Sequence, residues 1–176
     1  GANKSTNDIN YLTNLTNLEY LNLAGYKIKD FSIFQKITAP VKELHLNATG
    51  MTFDDFKYIA DNPVLQENLV YLSLSQNKFP ETLDISTLSS LKSLDRLNLK
   101  NNSLKALEGV NSFSMATNRA FIGLDENHLP LSQAYEIRQA GTVIKNQTEV
   151  LFDSITLKVG EPLVLPAEEM EIDGFK

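Results

Sequence analysis

Leu94-Asp95-Arg96-Leu97-Asn98-Leu99-Lys100-Asn101-Asn102-Ser103-Leu104 is the stretch on which the reading of this chain turns. Its form, Leu-x-x-Leu-x-Leu-x-x-Asn-x-Leu, recurs at Leu18–Ile28, Val41–Met51, Leu69–Phe79 and Arg119–Leu129. The five copies begin at residues 18, 41, 69, 94 and 119, so successive starts lie 23, 28, 25 and 25 residues apart. Within each copy the two close apolar positions alternate with more polar ones, as a short strand with one buried face requires. This points Leu21 and Leu23, Leu44 and Leu46, Leu72 and Leu74, Leu97 and Leu99, and Ile122 and Leu124 inward. No single copy can bury its own leucines. Stacked copies share one core, with their strands side by side about 4.8 Å apart in a parallel sheet.

A motif of this form at a period of about 20–29 residues is that of the leucine-rich repeat, with one strand and one return segment per turn. The expected fold class is α/β: a right-handed solenoid with a parallel concave sheet, short helices or 3₁₀ turns on the convex side, and a β-rich C-terminal end. The expected division is 1–17 as a partial repeat or cap, 18–141 as repeats, and 142–176 as a β cap or the start of a following module. Asparagine at the ninth position suits the strand end, because its amide both donates to and accepts from backbone groups freed by the turn. Asn77, Asn102 and Asn127 form this structural ladder, whereas Tyr26 and Thr49 replace it in the first two copies. Threonine can supply part of the bonding and tyrosine hardly any, so an irregular turn is expected at Tyr26.

The return segments vary. Apolar residues every third position in Asp8–Leu18 suggest 3₁₀ turns. Thr52–Ala60 carries a Thr-x-x-Asp capping box with Phe53, Phe56 and Ile59 on one face, which predicts a helix. Ser132–Ala140, closed by Gly141, predicts another. The returns near 80–93 and 105–118 read as turns with single helical loops. From Thr142 onward, VIKNQTEVLF, ITLKV and LVLP are β-like runs.

Composition narrows the function classes. A net charge of −6 disfavours binding to a phosphate backbone, so no nucleic-acid partner is expected. The absence of cysteine removes disulfide caps, thiolate zinc sites and cysteine nucleophiles. No apolar run approaches the roughly 20 residues of a membrane span, so no membrane insertion is expected. His45 and His128 lie in different repeats, which argues against a metal site or a histidine triad. Asp54-Asp55 reads as helix N-terminal charge rather than a catalytic pair. Asp125 and Glu126 lack the ligand loop of a calcium site. The Asn-x-Ser/Thr tripeptides at Asn3, Asn14, Asn47 and Asn146 arise readily by chance in a chain this rich in asparagine, and they are discounted. The expectation is a non-enzyme without cofactor or metal.

The side chains that alternate with the buried ones supply the candidate binding surface. The third position of each copy holds Tyr20, Glu43, Tyr71, Arg96 and Phe121, and the fifth holds Asn22, His45, Ser73, Asn98 and Gly123. The seventh holds Ala24, Asn47, Ser75, Lys100 and Asp125. Tyrosine, arginine and phenylalanine are common interface anchors, which favours Tyr20, Tyr71, Arg96 and Phe121 as contact residues. Asn22, Glu43, His45, Ser73, Asn98 and Lys100 complete the candidate set. The competing reading is that these residues merely cover the sheet, with Tyr20 packed on Tyr71 across the shorter Glu43.

The phrase Leu-Thr-Asn-Leu-Thr-Asn-Leu-Glu-Tyr-Leu-Asn-Leu at 12–23, followed by Lys27-Ile28-Lys29-Asp30, resembles the leucine-rich repeats of internalin-like surface proteins of Gram-positive bacteria. The resemblance covers roughly residues 8–141. The later repeats, with spacings of 25–28 residues, are longer than is typical of that group. The resemblance implies a surface-displayed or secreted bacterial recognition domain, and the expected role is a monomer that binds a protein or glycan through its concave sheet. A structural spacer that self-associates, or the targeting domain of a larger enzyme or effector, are the alternatives.

Overall fold

A computed structural model of the chain describes residues 9–110 and 121–130. The expectations for Ser132–Ala140, for the tail from Thr142, and for Asn3 and Asn146 lie outside the described residues. Along the chain run β1 (Tyr20–Asn22), β2 (Glu43–His45), α1 (Phe56–Ala60), α2 (Pro63–Asn68), β3 (Tyr71–Ser73), β4 (Thr82–Asp84), β5 (Arg96–Asn98), β6 (Ala106–Glu108) and β7 (Phe121–Gly123). Between them lie 3₁₀ turns at Asn10–Asn14, Phe31–Lys36, Phe53–Asp55 and Ser86–Ser90. The protein is mixed α/β. Five strands form one parallel sheet in the order β1-β2-β3-β5-β7.

Every strand of that sheet comes from one copy of the repeated motif, and pairing aligns the copies position for position. Leu21, Leu44, Leu72, Leu97 and Ile122 stand in one register row, flanked by the rows that begin at Tyr20 and Asn22. Leu44, Leu72, Leu97 and Ile122 are fully buried, while Leu21 on edge strand β1 keeps 7% exposure because a described strand shields it on one side only. The inward pattern expected from alternation is thus the pattern observed.

Each strand ends in the same turn. The eighth position of every copy has a left-handed backbone, with φ of 78° at Gly25, 54° at Ala48, 56° at Gln76, 54° at Asn101 and 57° at Glu126. Its amide donates to the seventh-position carbonyl of the next copy: Gly25 to Asn47 at 2.8 Å, Ala48 to Ser75 at 2.9 Å, Gln76 to Lys100 at 3.1 Å and Asn101 to Asp125 at 2.9 Å. This corrects the expectation of an irregular turn at Tyr26. The turn is set by the eighth residue and its inter-repeat backbone bond, and Gly25 adopts a positive φ without the Cβ penalty. Tyr26 contributes packing against the core instead.

The ladder asparagines do more than end their own strands. Asn77 donates to the carbonyl of Leu74 in its own copy and to that of Leu46 in the copy before, both at 2.9 Å. Its Oδ1 accepts from the amides of Thr49, Gly50 and Met51 at 3.1–3.2 Å. Asn102 and Asn127 repeat the arrangement, so each ladder amide joins two turns. Thr49 keeps the local bond, its hydroxyl donating to Leu46 O at 2.8 Å, and the same hydroxyl lies 3.2 Å from Asn77 Oδ1 of the next copy.

Behind the sheet the returns pack on the same core. The predicted helix at Thr52–Ala60 is a 3₁₀ turn leading into α1, and Asp55 accepts from the Thr52 amide at 2.8 Å. Phe56 and Ile59 are buried and Phe53 packs beside them, as the one-sided pattern predicts. α1 lies against the 3₁₀ turns Phe31–Lys36 and Ser86–Ser90 of the neighbouring returns. Two features are absent from the sequence reading. One is α2, capped by Asn62 with Pro63 at its first position. The other is a second parallel pair, β4 with β6, where turns alone are expected. There Gly109, at φ 75°, is required: a Cβ would stand 2.6 Å from the Ser86 amide nitrogen.

Candidate functional site

The open face of the five-stranded sheet carries the third- and fifth-position side chains. The register places Tyr20, Glu43, Tyr71, Arg96 and Phe121 side by side, with Asn22, His45, Ser73, Asn98 and Gly123 in the parallel row. All ten positions expected from spacing therefore meet on one face. They are not equivalent.

Four of them form a continuous stack. The His45 ring lies 5.1 Å from the Tyr20 ring on one side and 5.1 Å from the Tyr71 ring on the other. The Arg96 guanidinium stands 5.0 Å from the Tyr71 ring centre. These separations match the strand spacing, which explains why one planar group per strand fills the row. Tyr20 thus contacts His45 rather than reaching across Glu43 to Tyr71. Aromatic pairs of this kind, and guanidinium over tyrosine, each contribute about 1 kcal/mol. Glu43 lies beside the stack, its Oε2 at 3.7 Å from His45 Nε2 and its Oε1 at 4.0 Å from Arg96. Tyr20 remains 52% exposed, so the end of the stack on β1 offers a ring to a partner.

The other candidates are largely committed to the protein itself. Ser73 is only 1% exposed, and its hydroxyl donates to Asn47 Oδ1 at 2.6 Å and accepts from Asn98 at 3.2 Å. It is a floor residue, not a contact residue, because its short side chain is covered by the amides on either side. Asn98 and Asn22 use their Oδ1 atoms to hold the amides of Lys100 at 3.0 Å and Ala24 at 2.9 Å. Asn22 also donates to the Tyr20 hydroxyl at 3.3 Å, fixing the outermost ring. Phe121 is half-buried at the far end of the row.

Asn47, outside the set favoured from sequence, is an organising residue. Its Oδ1 accepts from the Ser73 hydroxyl, the Ser75 amide at 3.0 Å and the Ser75 hydroxyl at 2.7 Å. Its place in the seventh-position row, opposite two serines, is the signal that could have found it.

Lys100 pairs with Glu126 at 2.9 Å, and that hydrogen bond, then the charge of Glu126, raises its pKa. Asp125 behaves in the opposite sense to an ordinary paired carboxylate. Burial pushes its pKa up, Lys100 opposes this and Glu126 adds to it, while its Oδ1 is buried without a hydrogen-bond partner. A raised folded-state pKa means the native protein holds this proton more tightly than the unfolded chain. Its contribution is therefore fully present below the unfolded carboxyl pKa and is lost as pH rises through the folded value. Asp125→Asn is expected to be more stable than the parent at neutral pH, with the two melting curves converging under acid conditions. Equal melting temperatures across the whole pH series would refute this.

Among the described residues, no group of three or more histidine, cysteine, aspartate or glutamate side chains is placed to hold a metal ion. No described helix is long and apolar enough to cross a membrane. What the face offers chemically is a preformed surface of ring edges, a guanidinium, a carboxylate and side-chain amides. No family model matches the chain, and no curated protein matches it either.

Proposed function

We propose that the chain is a leucine-rich-repeat solenoid whose concave sheet binds a protein or glycan outside the cell, as a non-catalytic domain of a secreted or surface-displayed bacterial protein. Support for the solenoid comes from five motif copies in one parallel register and from the left-handed turn repeated at every eighth position. The proposed setting rests on the likeness of residues 12–23 to internalin-like repeats.

The observation that carries the binding role is the stack Tyr20–His45–Tyr71–Arg96 on the open face. Large planar side chains held by their neighbours lose little conformational freedom when a partner docks, so more of the contact energy appears as affinity. Tyrosine and arginine are also the residue types in which binding energy concentrates.

The test is direct. The chain is screened against a glycan panel and a panel of purified extracellular protein domains, beside the double variant Tyr20→Ser/Arg96→Ser. A ligand of this face should bind the variant at least about tenfold more weakly, equivalent to about 1.4 kcal/mol, with the circular dichroism spectrum unchanged. A ligand held equally by both proteins would place recognition elsewhere.

A further inference from the structure

Glu43 stands between two basic groups and is within hydrogen-bond distance of neither. Its Oε2 is 3.7 Å from His45 Nε2, and its Oε1 is 4.0 Å from an Arg96 guanidinium nitrogen. His45 Nε2 is itself buried with no hydrogen-bond partner. We propose that this face carries a proton-operated switch, in which His45 and Arg96 compete for the carboxylate of Glu43.

The groups around the imidazole determine the sense of the switch. Tyr20 of β1 and Tyr71 of β3 flank it, Glu43 of its own strand β2 lies alongside, and Arg96 of β5 reaches it through Glu43 and Tyr71. Neutral imidazole brings no charge to draw Glu43, and the permanent cation beside the carboxylate is then Arg96, at 4.0 Å. Protonated imidazole must donate from both nitrogens. The carboxylate beside Nε2 is Glu43, at 3.7 Å. Glu43 then closes on His45, and Arg96 keeps its place on Tyr71 but loses its counter-ion. The face gains a free guanidinium when His45 takes up a proton.

If the face is the binding surface proposed above, an anionic group on the ligand is held more tightly in acid. The switch itself belongs to the free chain and is readable without any ligand, so its failure and the failure of the binding role are separable.

The experiment is a nuclear magnetic resonance titration of the whole chain from about pH 8 to about pH 5. The two histidines, His45 and His128, give two imidazole signals, which the variant His45→Gln assigns. The Arg96 side-chain N–H signal is expected to move with the midpoint of His45 and not with that of His128. In His45→Gln and in Glu43→Gln that movement should vanish, while an unchanged amide spectrum of the remaining residues reports an intact fold. An Arg96 signal that stays still while His45 titrates overturns the proposal. So does an Arg96 movement that survives unchanged in His45→Gln.

Discussion

Replacing Asn62 by alanine is expected to cost about 4 kcal/mol of folding stability, the sum of a lost helix cap and two orphaned buried carbonyls. Asn62 is only 1% exposed and uses both ends of its amide. Its Oδ1 accepts from the amides of Val64 at 2.8 Å and Leu65 at 3.2 Å, which starts α2. Its Nδ2 donates to the carbonyls of Phe34 at 2.7 Å and Ile37 at 2.8 Å, in the return of the preceding repeat. One side chain therefore both caps a helix and ties two returns together. Asn62→Asp separates the roles, since a carboxylate keeps the cap but faces two carbonyls with no proton to give. Urea denaturation should show the aspartate variant to be at least as destabilised as the alanine variant. If the aspartate variant unfolds like the parent, the donor bonds contribute nothing and only the cap matters.

Asn102→Ala is expected to cost about 3 kcal/mol, because it leaves buried backbone groups of two repeats unpaired at once. Asn102 is 4% exposed, donates to Leu99 O at 2.8 Å and Leu74 O at 3.1 Å, and accepts from the Asn77 amide at 2.7 Å. The protein contains its own comparison in Thr49, whose hydroxyl makes the local bond to Leu46 O. Asn102→Thr should therefore recover about half of the loss. Denaturant midpoints of the parent and the two variants measure this. Equal losses for threonine and alanine would mean that the local bond adds nothing, and that the links to Leu74 O and the Asn77 amide hold the energy.

These two asparagines differ in how far the sequence discloses them. Asn102 is visible because it recurs with Asn77 and Asn127 at a fixed motif position, although the motif shows a strand end and not the link to the preceding repeat. Asn62 occurs once. Its Asn-Pro start is a legitimate helix signal, but its larger role depends on Phe34 and Ile37, which lie 28 and 25 residues away. The β4–β6 pair escaped for a similar reason. Three-residue strands at Thr82–Asp84 and Ala106–Glu108 are too short to show a period, and they become strands only because stacking brings them side by side.

The candidate face divides along the same line. Alternation within each motif copy put Tyr20, Glu43, Tyr71, Arg96 and Phe121 in one row, and the observed register has them so. Spacing could not show that His45 inserts between Tyr20 and Tyr71, that Ser73 lies under its neighbours, or that Glu43 sits between His45 and Arg96. These depend on the rotamers of long side chains on adjacent strands, which compete for the same 5 Å or so of width.

By itself, then, the sequence determined the strands of the main sheet, their buried faces and their parallel order, because a periodic apolar pattern has one efficient way to bury itself. It also determined which side chains share the open face. Only the tertiary structure decided which of them remain available to a partner and which are consumed in holding turns and neighbours. The physical reason is reach: periodicity is a local property of the chain, whereas the ring contacts of the stack and the bonds that bury Ser73 join residues from different repeats.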